Sequence, residues 1–563
     1  LLISLPTLVF ILGLSFFIMT LVKNQAVTFI LLTGYIALTI FYLNKKAYHI
    51  FDYIAYQVPM MYSSISGFAG LNQIVLHRSI YLLLGIGFIL LTVYKLQRLP
   101  QSPRNAALPL YLGIFFLLAG GYCVYGYLNI QQSAHAYRKQ VLALNNRYVY
   151  SNKATVLACT IDLRHLGNEI SADALLLIQN RNKQPLDTFI FSLNPGLSLQ
   201  HISAGGRDLA FTRNLQIIEA VPAEPLNPGD SIAVQIRYTG SINENIAFLD
   251  KDPKVFDATT QFSVFTLRKR YAFLQKNFVC LTGEVLWYPV AGTGYANAVP
   301  FRHDPDFVRF NLKVTTSPAL TALSQGLTVS GGNGRFEFSP EYPLPQICLL
   351  IGDYRKSSVT VDSVEYSLYA FKGHEYFKEA FDKITDTIPS LIRDMKKEYE
   401  AALGMQYPFH RLMLAEVPVH FAVESHIYSF SSDAMQPEMI LSPEKGVMFE
   451  GSDFEQRRMW LERELKNNNE EVLPEEVQAR IFTRFFKDNF LAKRGQYYDY
   501  GSFINWSTYS LFQEYMSYLT RLQSDHWPVL ATALEIYMFE RKSTGTPTLP
   551  WYEDLSLSDK INI

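Results

Sequence analysis

The hydrophobic positions of this chain change period twice. From the start to about Ile130 they come as long uncharged runs: Leu1–Val22, Ala26–Leu43, Ser79–Tyr94 and Ala106–Ile130. A helix that crosses a bilayer needs roughly 20 apolar residues, with about 17–25 the usual range. The first and fourth runs meet this outright, and the second and third do so by borrowing flanking residues. Four runs predict transmembrane helices over residues 1–130 and are too many for a signal peptide, which needs one. Between the second and third lies Phe51–Leu76, apolar but broken by Gln57, Pro59, Ser63, Ser64, Gly67, Gly70 and Asn72. This segment, 51–76, reads as helices lying at the interface or dipping into it, with a fifth span as the alternative. A polar, helix-prone linker, residues 131–147, follows.

The pattern then turns to alternation. Lys153–Leu163, Ala172–Gln179, Phe189–Leu193, Ser231–Tyr238 and Phe307–Val314 read as strands. Turn signals separate them at Asn194-Pro195-Gly196, Gly205-Gly206, Asn227-Pro228-Gly229-Asp230 and Gly331-Gly332-Asn333-Gly334. These predict an all-β domain over residues 148–365. From Glu375 onward the spacing becomes helical, in Phe377–Leu403, Arg457–Leu465, Glu475–Phe490 and Ser507–Leu522. The fold class expected is therefore multidomain: an α-helical transmembrane region, then an α+β soluble part with its β domain first and a helix-rich domain over 366–563.

Charge refines this picture. Only 18% of the residues are charged and the net charge is -1, so no global field points to nucleic acid. The loop Lys95–Asn105 carries Lys95, Arg98 and Arg104. Basic loops stay cytoplasmic, which sends everything after Ile130 to the other side. Upstream, Lys23 favours one parity and Lys45 with Lys46 the other. Residue 1 is Leu, which reads as a chain whose start lies further upstream. Four cysteines, Cys123, Cys159, Cys280 and Cys348, show no metal-ligand spacing; they read as buried free thiols, with one disulfide among the last three as the alternative. The acidic stretch Glu462–Glu476 reads as a solvated loop between helices.

Several segments together resemble M1 aminopeptidases. Leu193-Asn194-Pro195-Gly196-Leu197 resembles the close of a strand in that family's N-terminal β-saddle. Leu226-Asn227-Pro228-Gly229-Asp230, followed by Val234–Gly240 with its Tyr-x-Gly ending, is similar to the saddle's turn and strand. Trp287-Tyr288-Pro289, Ile351-Gly352-Asp353-Tyr354 and Tyr407-Pro408-Phe409 before Leu412–Pro418 continue the likeness. It implies a saddle over 148–365 and a thermolysin-like domain over 366–563. Leu76-His77-Arg78-Ser79-Ile80-Tyr81-Leu82, leading into a span and a basic loop, resembles the closing region of ABC-2-type permeases. The whole chain is thus similar to bacterial permeases fused to a periplasmic M1-like domain.

The M1 resemblance implies a His-Glu-x-x-His helix, whose i, i+4 histidines share a face as zinc ligands with the Glu as general base. It also implies a third-ligand Glu on a later helix and a Gly-x-Met-Glu-Asn segment for the substrate amine. The sequence holds no His-Glu-x-x-His. His374-Glu375 is followed by Lys378 where a histidine is needed, and it reads as the solvated start of a helix. Placing Glu462 as the catalytic Glu puts Leu461 and Leu465 in the histidine positions, and leucine offers no ligand atom. Glu514 stands at the third-ligand position. Where the amine-binding segment is expected, the chain carries His420, Glu424 and His426, which share one side of a strand by their even spacing and read as remnants lining an old cleft. No metal or other cofactor is expected. Neither Gly-x-Ser-x-Gly nor a P-loop occurs, so a serine hydrolase elbow is absent and any ATP hydrolysis belongs to another subunit.

The expected function is thus a permease subunit of an ABC-type transport system, with a catalytically degenerate M1-like periplasmic domain used for binding or assembly. It implies residence in the bacterial inner membrane, contact with membrane lipid, a cytoplasmic ABC ATPase subunit and other envelope proteins as partners, and a homo- or hetero-oligomer. The alternatives are a membrane-anchored metallopeptidase with a non-standard site and an envelope scaffold without transport activity.

Overall fold

The computed structural model describes residues 2–43, 46–96, 107–251, 259–262, 265–294, 296–298, 306–375, 377–403, 406–422, 435–444 and 454–490. The chain divides into two compact units. The first comprises Leu1–Tyr62, Gly67–Lys139 and Asp257–Lys269; the second comprises Ser63–Ser66, Gln140–Phe256 and Arg270–Ile563.

The first unit holds helices α1 (Ser4–Val22), α2 (Gln25–Leu38) and α3 (Leu71–Lys95), with α4 (Ala107–Tyr148) as far as Lys139. A π-helical turn, Thr39–Leu43, extends α2. All four are long and apolar enough to cross a membrane. Apolar side chains gain little from leaving lipid for one another, so close backbone packing has to supply the contacts. A side chain on Gly13 of α1 would meet the Gly85 carbonyl oxygen at 2.4 Å, and one on Gly85 of α3 would meet the backbone of Val9 and Phe10 at 2.6 Å. Gly87 of α3 likewise abuts Leu117 of α4.

Two expectations need correction here. Phe51–Gly70 forms no interfacial helix and no fifth span. It holds turns and a two-stranded hairpin, Tyr62–Ser63 with Gly67–Phe68. Helical continuation is blocked because the Asp52 carboxylate accepts the Tyr56 and Gln57 amides, Pro59 lacks an amide proton, and Gly67 and Gly70 take φ of 74° and 105°. The residues Leu71–Leu76 at the end of that segment already belong to α3. The polar linker is also not separate: α4 runs unbroken through residues 131–147, since nothing in Gln131–Asn146 removes a helical hydrogen bond.

Arg78 of α3 is buried in this unit, at 1% exposure. Its guanidinium donates to the Tyr53 carbonyl at 3.2 Å, the Ile3 carbonyl at 2.9 Å and Thr7 Oγ1 at 2.6 Å. It thereby ties α3 to the start of α1 and to the broken segment between α2 and α3.

The second unit opens on an eight-stranded sheet. In spatial order its strands are Leu327–Gly332, Arg335–Ser339, Arg309–Thr315, Thr155–His165, Ile170–Gln179, Ser231–Gly240, Leu197–Ala204 and Arg207–Asp208. Arg309–Thr315 runs parallel to Thr155–His165, while the other recorded pairs are antiparallel. Alternation puts Ile161, Leu163, Ala174, Leu176, Val234, Ile236 and Tyr238 on the buried side. Val290–Ala291, Phe189–Ser192, Ile217–Val221 and Ala210–Asn214 form a separate four-stranded sheet.

The turn Asn194-Pro195-Gly196 explains itself physically. The Asn194 side chain donates to the Asn243 and Val285 carbonyls and accepts from the Gly196 and Asn243 amides. It satisfies loop backbone that burial would otherwise leave unpaired. Gly240, at φ 141°, packs its Cα against the Gly196 carbonyl, where a Cβ would sit 2.3 Å from the oxygen. All four cysteines are free, and Cys159, Cys280 and Cys348 are buried.

A five-stranded sheet shifts the expected domain boundary. In spatial order it runs Tyr354–Val361, Val364–Phe371, Arg411–Val417, Met439–Pro443 and Met435–Gln436. A division at residue 365 would cut the strand Val364–Phe371. The part after it is not simply helix-rich, because three of these strands are parallel neighbours. The run Leu412-Met413-Leu414-Ala415 is buried throughout, as parallel strands covered on both faces are. Helices α5 (Phe377–Ala380), α6 (Ile388–Leu403), α7 (Phe454–Asn467) and α8 (Pro474–Asn489) follow or interrupt the strands. Ser507–Leu522 lies outside the described residues.

Replacing Arg78 with Leu should lower the thermal unfolding temperature of the full chain in detergent, at a cost of about 1.5–3 kcal/mol for lost charged hydrogen bonds. An unchanged temperature would remove its tying role. Burial pushes the Cys159 thiol up to about 12, so iodoacetamide at pH 8 should leave it unmodified in the native protein and label it after denaturation, as read by peptide mass spectrometry.

Candidate functional site

The three parallel strands Val364–Phe371, Arg411–Val417 and Met439–Pro443 set the place of the site. Their registers run Glu365 with Arg411 through Tyr369 with Ala415, and Met413 with Met439 through Val417 with Pro443. Their carboxyl ends therefore coincide, and in open α/β sheets this is where ligands are received. The chain leaves the first strand through Gly373, at φ 90°, and places His374 at the edge. The second strand brings Glu416, and the third ends at Glu444.

These groups form one hydrogen-bonded chain. Glu416 Oε1 lies 2.7 Å from His374 Nδ1, and its other oxygen accepts the Phe371 amide at 2.7 Å. His374 Nε2 lies 3.1 Å from Ser64 Oγ. Ser64 Oγ donates to Glu444 Oε2 at 2.5 Å, and the Ser64 amide reaches the same oxygen at 2.9 Å. The other Glu444 oxygen accepts the Val419 amide at 2.9 Å. Glu444 is 2% exposed and the Glu416 side chain 5%, while His374 retains 18%. Ser64 is exposed on a turn whose neighbour Ile65 packs against the buried cluster that includes Met413, Ala415, Phe421 and Met439. Next to His374, the exposed Glu375 carboxyl is held below its usual range by the amides of Glu375 itself and Gly373, with Arg355 and His374 adding to the effect.

The order Ser64–His374–Glu416 is that of a hydrolase triad. Glu444 works against that use. Its carboxylate takes the hydroxyl proton that the imidazole would have to accept. A carboxylate beside the hydroxyl also opposes the negative charge that develops on an acyl intermediate, which catalysis meets with donors. The arrangement suits a docked turn better than a nucleophile.

His374 was expected at the solvated start of a helix. It is instead partly buried and bonded on both ring nitrogens, and α5 begins at Phe377. Ser64 falls in the segment read as interfacial, and Glu416 lies within a run read only for family likeness. A charged residue interrupting the buried run Leu412–Val417 is the signal that points to Glu416; nothing local ties Ser64 to residues some 310 and 380 positions away.

The other expected site residues scatter. Leu461, Glu462 and Leu465 lie on α7. Leu465 is buried and Leu461 half-buried, at the i, i+4 spacing that shares a helix face, whereas Glu462 is exposed and pairs with Arg458 at 3.9 Å. His420 is buried, with its carbonyl accepting the Arg270 amide at 2.8 Å. Glu424, His426 and Glu514 lie outside the described residues. The antiparallel edge strand of the same sheet is Met435–Gln436. Among the described residues, no group of three or more His, Cys, Asp or Glu side chains is placed to hold a metal ion.

No protein-family model and no curated protein matches the chain. Solved structures do. One is a point mutant of an M1 zinc metallopeptidase from Deinococcus radiodurans bound to a Tyr-Ser-Ala substrate, at 17% identity and a TM-score of 0.35, covering 48% of this chain. The chain spans 58% of that structure's length. The same peptidase without the mutation matches at 15% identity and a TM-score of 0.40, covering 73% of this chain and 91% of that one. The mutant without peptide matches at 12% identity and a TM-score of 0.39, covering 73% and 94%.

Removing Glu416 strips acceptors from the Phe371 amide and from His374, so Glu416→Ala should cost about 1–3 kcal/mol in unfolding free energy. The exposed Glu462→Ala should stay within about 0.5 kcal/mol. Denaturant melts of both variants check the contrast.

Proposed function

We infer that this chain is the membrane subunit of an ABC-type transport system whose extracytoplasmic M1-like domain binds or assembles without cleaving peptide. The observation that carries this reading is the lack of any His-Glu-x-x-His in a chain with four span-length apolar helices. A catalytic zinc site uses three protein ligands, and the helix proposed to replace the motif offers Leu461 and Leu465 in their stead. In this reading a separate cytoplasmic ATPase drives movement of the spans. The soluble part stands in the periplasm on the strength of the basic loop Lys95–Asn105. It recruits a partner or cargo through surfaces other than a metal centre. The resemblance of Leu76–Leu82 to the end of an ABC-2-type permease supports the transport half of the proposal.

Two measurements on the purified full chain test it. Metal analysis should find no stoichiometric zinc, and incubation with unblocked peptides should release no amino acids. Bound zinc at one per chain together with amino-acid release would replace this reading with a membrane-anchored peptidase. Affinity purification from native membranes should bring down an ATPase subunit; an intact assembly that repeatedly lacks one would favour a scaffold.

A further inference from the structure

The hydrogen count at the carboxyl edge of the parallel strands has a consequence for the Ser63–Ser66 turn. Four groups, Glu416, His374, Ser64 and Glu444, are joined by three side-chain hydrogen bonds. Ionised carboxylates only accept, and a serine hydroxyl has one proton to donate. If Ser64 gives its proton to Glu444, then His374 Nε2 must donate to Ser64 Oγ. His374 Nδ1 must also donate, because Glu416 cannot. All three bonds are made only when the imidazole carries both protons. With a neutral imidazole one bond fails: either Nε2 faces the Ser64 oxygen lone pair to lone pair, or Ser64 turns its proton to Nε2 and leaves its oxygen against Glu444.

We propose that the Glu416–His374–Glu444 corner is a proton-dependent docking site for this chain's own Ser63–Ser66 turn, closed when His374 is an imidazolium and loosened when it is neutral. The corner has the charge for this. Glu416 faces His374 Nδ1 directly, Glu444 faces it through Ser64, and Glu375 stands beside it, itself next to Arg355. The Tyr354 hydroxyl is committed to the Glu416 carbonyl at 2.8 Å and adds no charge. A protonated His374 balances one of the two buried carboxylates. Glu444 also receives the Val419 and Ser64 amides, so both of its oxygens face donors. Ile65 packing on the core holds the turn near the corner in both states, which makes the proton a modulator of docking and not its sole cause. Docking is thus complete at acid pH and weakens as pH rises through the range in which histidine loses its charge, between about pH 5 and 8.

Hydrogen exchange of the full chain in detergent, read by mass spectrometry on peptides covering residues 62–68, tests this. After correction for the intrinsic pH dependence of exchange, protection of this segment should fall about tenfold from pH 5.5 to pH 8.5, the scale of one charged hydrogen bond. Peptides from Ile170–Gln179 and Ser231–Gly240 should show no such change and report that the fold is intact. In His374→Gln, which is neutral at every pH, protection should be flat. In Ser64→Ala, which keeps the turn and Ile65, it should be lower and flat. Protection independent of pH in the native chain, or a pH dependence that survives in His374→Gln, would overturn the proposal. So would covalent labelling of Ser64 by a fluorophosphonate at pH 5.5, where a ring that holds both protons cannot accept the hydroxyl proton.

Discussion

Two carboxylates buried side by side are the constraint on which the second unit's edge depends. Glu416 and Glu444 lie almost out of water at the ends of adjacent parallel strands. A buried charge is tolerated only when its lone pairs are met by donors and its field by an opposite charge. Backbone amides of Phe371, Val419 and Ser64 meet part of that demand. His374 faces Glu416 as well, and Gly373's left-handed turn brings it back over the strand ends. The position of the Ser63–Ser66 turn, the burial of His374 and the incompatibility with acyl transfer all follow from where these two charges sit.

Much of the architecture is legible in the sequence because it rests on local rules. Uncharged runs mark the four span-length helices. Alternation in Ala172–Gln179 and Ser231–Tyr238 marks strands that pair directly, with Ser231 opposite Gln179 and Tyr238 opposite Ala172. Asn194-Pro195-Gly196 announces a turn, and its side chain does what a buried asparagine must. What stays hidden depends on partners far off in sequence. The polar corner joins residues from a hairpin, a strand exit and two strand ends, and no spacing rule links them. The sheet after Tyr354 is hidden for a different reason: short apolar runs such as Leu412–Ala415 fit a buried helix as well as a strand until a neighbour is known. Glu462 illustrates the converse. A residue placed by family likeness turns out to be exposed on its helix, paired with Arg458 one turn earlier.

The membrane-type helices obey a separate economy. Gly13 and Gly85 let two backbones touch, and Arg78 reaches three oxygens that no lipid could satisfy. Ionisable groups at such positions persist where the protein itself supplies their partners. Here those partners are the Tyr53 and Ile3 carbonyls and the Thr7 hydroxyl, so Arg78 is explained as a tie within its unit.

The central claim about the second unit is that His374 carries two ring protons in the docked state. Nitrogen-15 magnetic resonance of the histidine-labelled full chain in lipid, with His374→Gln to assign the signal, reads this directly. Both ring nitrogens of His374 should show the shifts of a protonated imidazolium at pH 5.5. A neutral ring with one bare nitrogen at that pH, in a chain whose turn is still protected from exchange, would contradict the account.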